Sequence, residues 1–117
     1  MSIQEVYEKM GEDYSEVLER MAKEERVIKY VKKFSETTNF DALKKAVSDN
    51  DIEVIFREAH TIKGMSLNLG FSKLADATAE LCDDVRNNIV KAPVEPFMEI
   101  VETEYQNVIS CIQEMDD

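Results

Sequence analysis

The sequence has little of what sheet proteins, disulfide scaffolds and zinc proteins depend on. Its 117 residues include three glycines, two prolines, two cysteines, one histidine and no tryptophan. Few turn-forming residues combined with 33% charged residues are typical of a helical protein. Because Cys82 and Cys111 lack Cys-x-x-Cys spacing, we expect two buried apolar residues in a reducing compartment rather than a disulfide or a zinc site.

Basic residues are also scarce, with 14 Lys and Arg against 25 Asp and Glu and a formal net charge of −11. This charge excludes a nucleic-acid-binding protein, which needs a basic stripe, and it disfavours anionic membrane surfaces. No run approaches the roughly 20 apolar residues of a membrane span. The N-terminus also lacks the basic-then-apolar order of a signal peptide, so we expect a cytoplasmic protein.

Helical signals begin at the N-terminus. Ser2 can cap a short helix that ends before Gly11, and the Asp13–Glu16 spacing predicts a second one through about Met21. Residues 1–22 are thus expected to form accessory helices. The next segment, from about 24 to 48, is interpreted as one continuous helix, with a break at 37–39 as the alternative.

Three further elements are predicted from the second half of the chain. Asp51 can cap a helix that ends at Gly70, and Ser72 can cap another that frays at Asn87 before Pro93. A last helix follows, in which Tyr105 and its neighbour Glu104 interrupt the apolar stripe. In each of these three helices, the residues expected to face the core recur mainly at spacings of three and four. In chain order, the three sets are Ile52, Ile55, Ala59, Ile62, Ser66 and Leu69; Leu74, Thr78, Leu81, Val85 and Ile89; and Phe97, Val101, Val108, Ile112 and Met115.

Long helices joined by short connections predict the fold class. We expect one all-α domain over 1–117, in which about 24–115 form an antiparallel up-down-up-down four-helix bundle and one or two short helices precede it.

The lone histidine, His60, carries the strongest sign of chemistry. A single histidine is ordinarily structural, but the helical wheel places His60 off the core face, beside Phe56 and Leu67. Lys63 follows one turn later on the same side, where its ammonium can reach a group held on the imidazole. Gly64 costs about 1 kcal/mol inside a helix, and lies off the core face, so it indicates that another protein approaches closely.

Charge sets the same region apart. From Ala59 to Ala75 there is no acidic residue, although a stretch of this length would hold about three or four at the chain's average. Clearing carboxylates from one patch of an acidic protein suits a surface that holds a doubly charged phosphoryl group and faces an acidic partner. An imidazole is neutral and nucleophilic enough near pH 7 to accept such a group.

These residues resemble the histidine-containing phosphotransfer (HPt) domain family, whose pattern is His-x-x-Lys-Gly followed by Leu-Gly. Here the pattern is His60-Thr61-Ile62-Lys63-Gly64 with Leu69-Gly70, and the resemblance covers about residues 12 to 90. The chain departs from the family at Met65 and Leu67, where smaller residues are frequent. It also departs at Cys82, where many members carry a glutamine or glutamate that faces the histidine.

The resemblance implies a phosphocarrier rather than an enzyme. His60 would accept a phosphoryl group from a receiver-domain aspartate, or from a histidine kinase or hybrid kinase, and pass it to another receiver. Lys63 would steady the group, and the partner would supply Mg²⁺, so the chain itself would need no cofactor or metal. The expected receiver-docking residues share a place on or near this helix face: Phe56, Arg57, Gly64, Leu67 and Lys73. The chain is expected to be a monomer.

Two other functions are conceivable for a helical bundle of this size. A helical adaptor could dock receivers without being phosphorylated, but it would need none of His60, Lys63 and Gly64. A metal-binding bundle would require inward-facing Glu-x-x-His pairs, whereas Arg57 stands three residues before His60 and there is no second histidine.

Overall fold

The architecture was analysed in a computed structural model that describes residues 1–116. These residues contain α-helices joined by short connections and no strand, so the all-helical prediction is confirmed. The particle measures 41 × 22 × 20 Å. The helices are α1 (Ile3–Met10), α2 (Tyr14–Met21), α3 (Glu24–Ser35), α4 (Asn39–Ser48), α5 (Ile52–Leu69), α6 (Ser72–Val85), which runs into a 3₁₀ turn (Arg86–Asn88), and α7 (Val94–Ile112).

The two N-terminal helices begin where the sequence predicts. The Ser2 hydroxyl accepts a hydrogen bond from the Glu5 backbone N–H, and the Glu5 carboxylate accepts one from the Ser2 N–H, which completes a capping box. Asp13 caps α2 with a single hydrogen bond, which its carboxylate accepts from the Glu16 N–H. Gly11 ends α1 in the left-handed conformation, at φ 78°.

The continuous helix predicted over residues 24–48 is wrong, and the alternative break is correct. α3 ends at Ser35 and α4 begins at Asn39. The reason is tertiary packing. In an unbroken helix, Phe40 and Leu43 would lie nearly opposite to Val27 and Val31. The break allows all four side chains to be buried in the core. The Phe40 ring stacks on Tyr105 of α7, with the ring centroids 3.9 Å apart.

Helix α5 holds the centre of the fold, packing against both α4 and α6. Asp51 caps its start by accepting from the Val54 N–H, and Gly70 ends it at φ 74°. Its predicted core face is confirmed for five of six positions, and Ile52 is half-buried. The buried positions are Ile55, Ala59, Ile62, Ser66 and Leu69.

Helices α6 and α7 correct three predictions. Ser72 does not cap α6; the helix begins with Phe71 as the capping residue, and the Ser72 hydroxyl donates to the Glu12 carboxylate. Ile89 is not on the buried face, because α6 ends at Val85 and leaves Ile89 61% exposed. Tyr105 does not interrupt the apolar stripe of α7 but lies buried within it.

The N-terminal helices close the C-terminal end of α5. The buried Tyr7 hydroxyl donates to the Leu69 carbonyl at 2.6 Å, and the Arg20 guanidinium donates to the Leu67 and Asn68 carbonyls at 3.1 and 2.8 Å. The Phe71 N–H donates a hydrogen bond to the Ser66 carbonyl. The last four carbonyls of α5, which a helix leaves without partners, are therefore all hydrogen-bonded.

Both cysteines are buried and free, as predicted. Within residues 1–116, no helix combines the length and the apolarity that crossing a bilayer requires.

Candidate functional site

The imidazole of His60 lies on the outer face of α5. His60 is exposed, and its ring lies parallel to that of Phe56, one turn earlier, with centroids 5.7 Å apart and planes 8° apart. Neither ring nitrogen has a hydrogen-bonding partner among residues 1–116. Phe56 therefore supports one side of the ring, while its nitrogens remain open to solvent or to an incoming group.

Gly64 and Leu67 continue the same strip of α5. A Cβ added to Gly64 would meet no atom within 4 Å, so this glycine does not relieve crowding between helices. Leu67 is 56% exposed, which is unusual for an apolar side chain of its size. The strip thus offers an imidazole, a gap without a side chain and an apolar contact in succession.

A second helix contributes charges that sequence reasoning missed. The Arg86 guanidinium, just after α6, lies over the Phe56 ring at 5.5 Å from its centroid. The same guanidinium donates to Asp83 at 2.8 Å. This hydrogen bond holds the pKa of the Asp83 carboxyl below its usual value, and the charges of Arg86, Lys63 and Lys91 add to the effect.

Lys63 is half-buried, and its positive charge acts to lower the pKa of both Asp83 and Cys82 on α6. The charges of Lys63 and Arg86 therefore both act on the Asp83 carboxylate, and Arg86 also lies over the ring of Phe56 beside His60. The acid-free stretch between Ala59 and Ala75 does not extend to the folded surface, since Asp83 comes from another helix. Only contacts between α5 and α6 reveal this arrangement.

Cys82 lies beneath these charges and is 1% exposed. Burial raises the pKa of its thiol, and the nearby cations Lys63 and Arg86 offset part of this rise. The thiol makes no hydrogen bond with the described residues, so Cys82 does not orient the imidazole of His60. Among residues 1–116, no three His, Cys, Asp or Glu side chains converge as a metal site.

Two of the predicted docking residues interact with other groups of this chain. Arg57 is exposed but pairs with the neighbouring Glu58, which also accepts a hydrogen bond from Asn39 of α4. Lys73 is not brought to the His60 surface: its ammonium donates to the Met10 carbonyl at the end of α1. Thirteen residues of helix, about 20 Å, separate Lys73 from Arg86.

The chain is similar in sequence to a described domain family and to two chemotaxis proteins. A family model described as the Hpt domain matches residues 31–114. The chemotaxis protein CheA of Listeria monocytogenes serovar 1/2a and that of Listeria innocua serovar 6a are each 40% identical over 68 residues, which cover 53% of this chain. The match spans only 11% of the length of either relative. No solved structure matches.

Proposed function

The chain belongs to the Hpt domain family, and we propose that it is a histidine phosphotransfer protein of a two-component His–Asp phosphorelay. His60 accepts a phosphoryl group from the aspartyl phosphate of a receiver domain, or from a histidine kinase, and passes it to another receiver. The observation that carries this proposal is the exposed His60 ring, supported by Phe56 and with both nitrogens unpartnered. The likeness to two CheA proteins supports a kinase as one of the donors.

The transfer needs little from this chain beyond the ring. A lone pair on one nitrogen of the neutral imidazole attacks the phosphorus of the aspartyl phosphate, and the phosphorus–oxygen bond to the carboxylate breaks. The proton stays on the other ring nitrogen, and the aspartate leaves as a carboxylate. The reverse step, onto the aspartate of a second receiver, restores the free imidazole. Mg²⁺ on the receiver supplies most of the charge stabilisation.

Lys63 and Arg86 supply the remaining positive charge in this proposal. The phosphoryl group brings up to two negative charges to the His60 surface. Lys63 follows His60 by one helical turn, Arg86 lies over the Phe56 ring that supports His60, and Asp83 pairs with Arg86 while the histidine is unmodified. Phe56, Gly64 and Leu67 form the surface on which the receiver docks, with Arg57 at its edge.

We also propose that α4 to α7 form the antiparallel bundle of this family. Consecutive helices are joined by short connections, and α4 packs against α5, α5 against α6, α6 against α7, and α7 against α4. Such a closed ring of contacts is what an up-down-up-down bundle produces.

The proposal is tested by following phosphate onto the wild-type chain. The chain is incubated with Mg²⁺ and receiver domains charged by acetyl phosphate, and separately with a histidine kinase domain and ATP. We expect a label that is stable in base and lost in acid, as a phosphoimidazole is. No label from any donor would contradict the proposal, and receiver binding without label would favour a non-phosphorylated adaptor.

Gly64→Gln is expected to slow transfer from the receiver by about tenfold or more, because a long side chain occupies the gap where the partner approaches. Circular dichroism should show unchanged helicity, since the added side chain meets no atom of the chain. The matched control is Asn107→Gln, which lengthens an exposed side chain on α7. An unchanged rate for Gly64→Gln would mean that the receiver does not approach over this glycine.

A further inference from the structure

The middle of α3 is the most basic part of an acidic protein. Residues 26–33 contain four cations and no acid, in a chain with a net charge of −11. Tyr30 is 38% exposed, and the ammonium groups of Lys29 and Lys33 lie over its ring at 5.7 and 5.6 Å from the centroid. Neither ammonium forms an ion pair within residues 1–116. We name Lys29, Tyr30 and Lys33 the α3 patch.

A small apolar cavity of about 120 Å³ opens beside the α3 patch, between α3 and α5. A cavity of about 150 Å³ with apolar walls accommodates benzene, so this one has the size for the end of one aliphatic or aromatic side chain. Its walls are mainly apolar, and Lys33 stands among the lining residues. The lining residues include Tyr30, Lys33, Phe34, Met65, Asn68 and Leu69.

The cavity lies within reach of a protein bound at His60. Met65 and Asn68 stand five and eight residues after His60 on α5, which is about 8 and 12 Å along the helix axis. A standard interface buries about 800 Å² on each partner, which corresponds to a disc of roughly 16 Å radius. Asn68 is exposed at the edge of the cavity, so an interface of this size centred on His60 is large enough to reach the cavity mouth.

We propose that the cavity and the α3 patch form a second anchor for the receiver domain, resting on the phosphotransfer function proposed above. One apolar side chain of the receiver enters the cavity, and a carboxylate beside it meets Lys29 and Lys33. Charge complementarity favours an acidic occupant, because the ammonium groups of Lys29 and Lys33 form no ion pair within residues 1–116. The occupant is the receiver rather than a second copy of this chain, because the cavity is lined by the same helix that presents His60 to the receiver. The anchor determines which receivers bind, whereas His60 determines what they exchange.

The test uses the receiver that labels the wild-type chain fastest. Lys29→Glu/Lys33→Glu removes the positive charge, and Asn68→Trp covers the cavity mouth from an exposed position. Each variant is expected to raise the KM for phosphorylated receiver by about tenfold, with kcat within twofold of wild type, because His60 is untouched. At 0.5 M salt the effect of the charge reversal should shrink while that of Asn68→Trp persists.

Matched controls lie on other faces of the molecule. Lys44→Glu/Lys45→Glu makes the same change in net charge on α4, and Asn107→Trp adds an indole on α7; both should leave KM within twofold. An unchanged KM for the test variants, or an equal rise in the controls, would overturn the second anchor alone. No label on the wild-type chain would overturn the phosphotransfer function and the anchor with it. If the charge reversal impairs folding by circular dichroism, Lys29→Gln/Lys33→Gln and Asn68→Trp provide the result.

Discussion

His60→Gln is expected to abolish phosphoryl uptake from receiver and kinase alike, because glutamine has no ring nitrogen to act as a nucleophile. The fold should be unaffected. The exposed ring makes no hydrogen bond within residues 1–116, and its parallel contact with Phe56 is worth about 0.5–1.5 kcal/mol. Quantitative labelling and urea unfolding of the same preparation measure the two effects separately.

The control is Glu53→Gln, which changes an exposed residue two turns earlier on α5. This variant should take up phosphate as wild type does. Equal labelling of His60→Gln and wild type would place the acceptor on another residue, and the role proposed for His60 would fall.

The largest effect on stability is expected from Gly70→Ala. Gly70 has φ +74°, which costs an alanine about 1–2 kcal/mol. An added Cβ would also overlap with Cγ2 of Val17, and overpacking of this kind adds about 1–3 kcal/mol. The free energy of unfolding should therefore fall by about 2–5 kcal/mol, measured as a lower urea midpoint with an unchanged slope.

Gly64→Ala makes the same chemical change where neither penalty applies. Gly64 lies inside α5 and an added Cβ meets nothing within 4 Å, so the free energy of unfolding should rise by about 0.5–1 kcal/mol. Combining Gly70→Ala with Val17→Ala should give a smaller loss than the sum of the two single changes, since the overlap disappears. Additive losses would show that Val17 is not the obstacle.

Local signals were sufficient to predict most helix ends. Ser2, Asp13 and Asp51 cap the helices that follow them, and Gly11 and Gly70 terminate theirs. These residues act on backbone groups within a turn of themselves, so the sequence alone carries the information.

The break between α3 and α4 was harder to predict because no glycine or proline marks it. Its cause is the burial of Phe40 against Tyr105, more than sixty residues away. The same contact explains why the spacing pattern of α7 does not identify Tyr105 as a core residue. Ser72 was misassigned for a related reason, since its hydroxyl binds Glu12 from the N-terminal segment.

The residues of the candidate site also differ in whether local sequence or tertiary packing positions them. The outward positions of His60 and Gly64 follow from helical periodicity within α5, and the sequence predicts both correctly. Arg86 and Asp83 reach the site from the far end of α6, and this depends on how α5 and α6 pack. Lys73 was assigned to the site because it is near in sequence, although the fold turns it toward α1.

The hydrogen bonds that Tyr7 and Arg20 make with the end of α5 bear on what a minimal fragment of this protein must contain. The family match begins at residue 31, yet both donors precede it. A fragment cut at that boundary would leave the Asn68 and Leu69 carbonyls of α5 without their partners, and it would uncover Leu69 and Phe71. The cooperative unit is therefore larger than the recurring sequence pattern, and the helix that carries the phosphoacceptor depends on residues outside it.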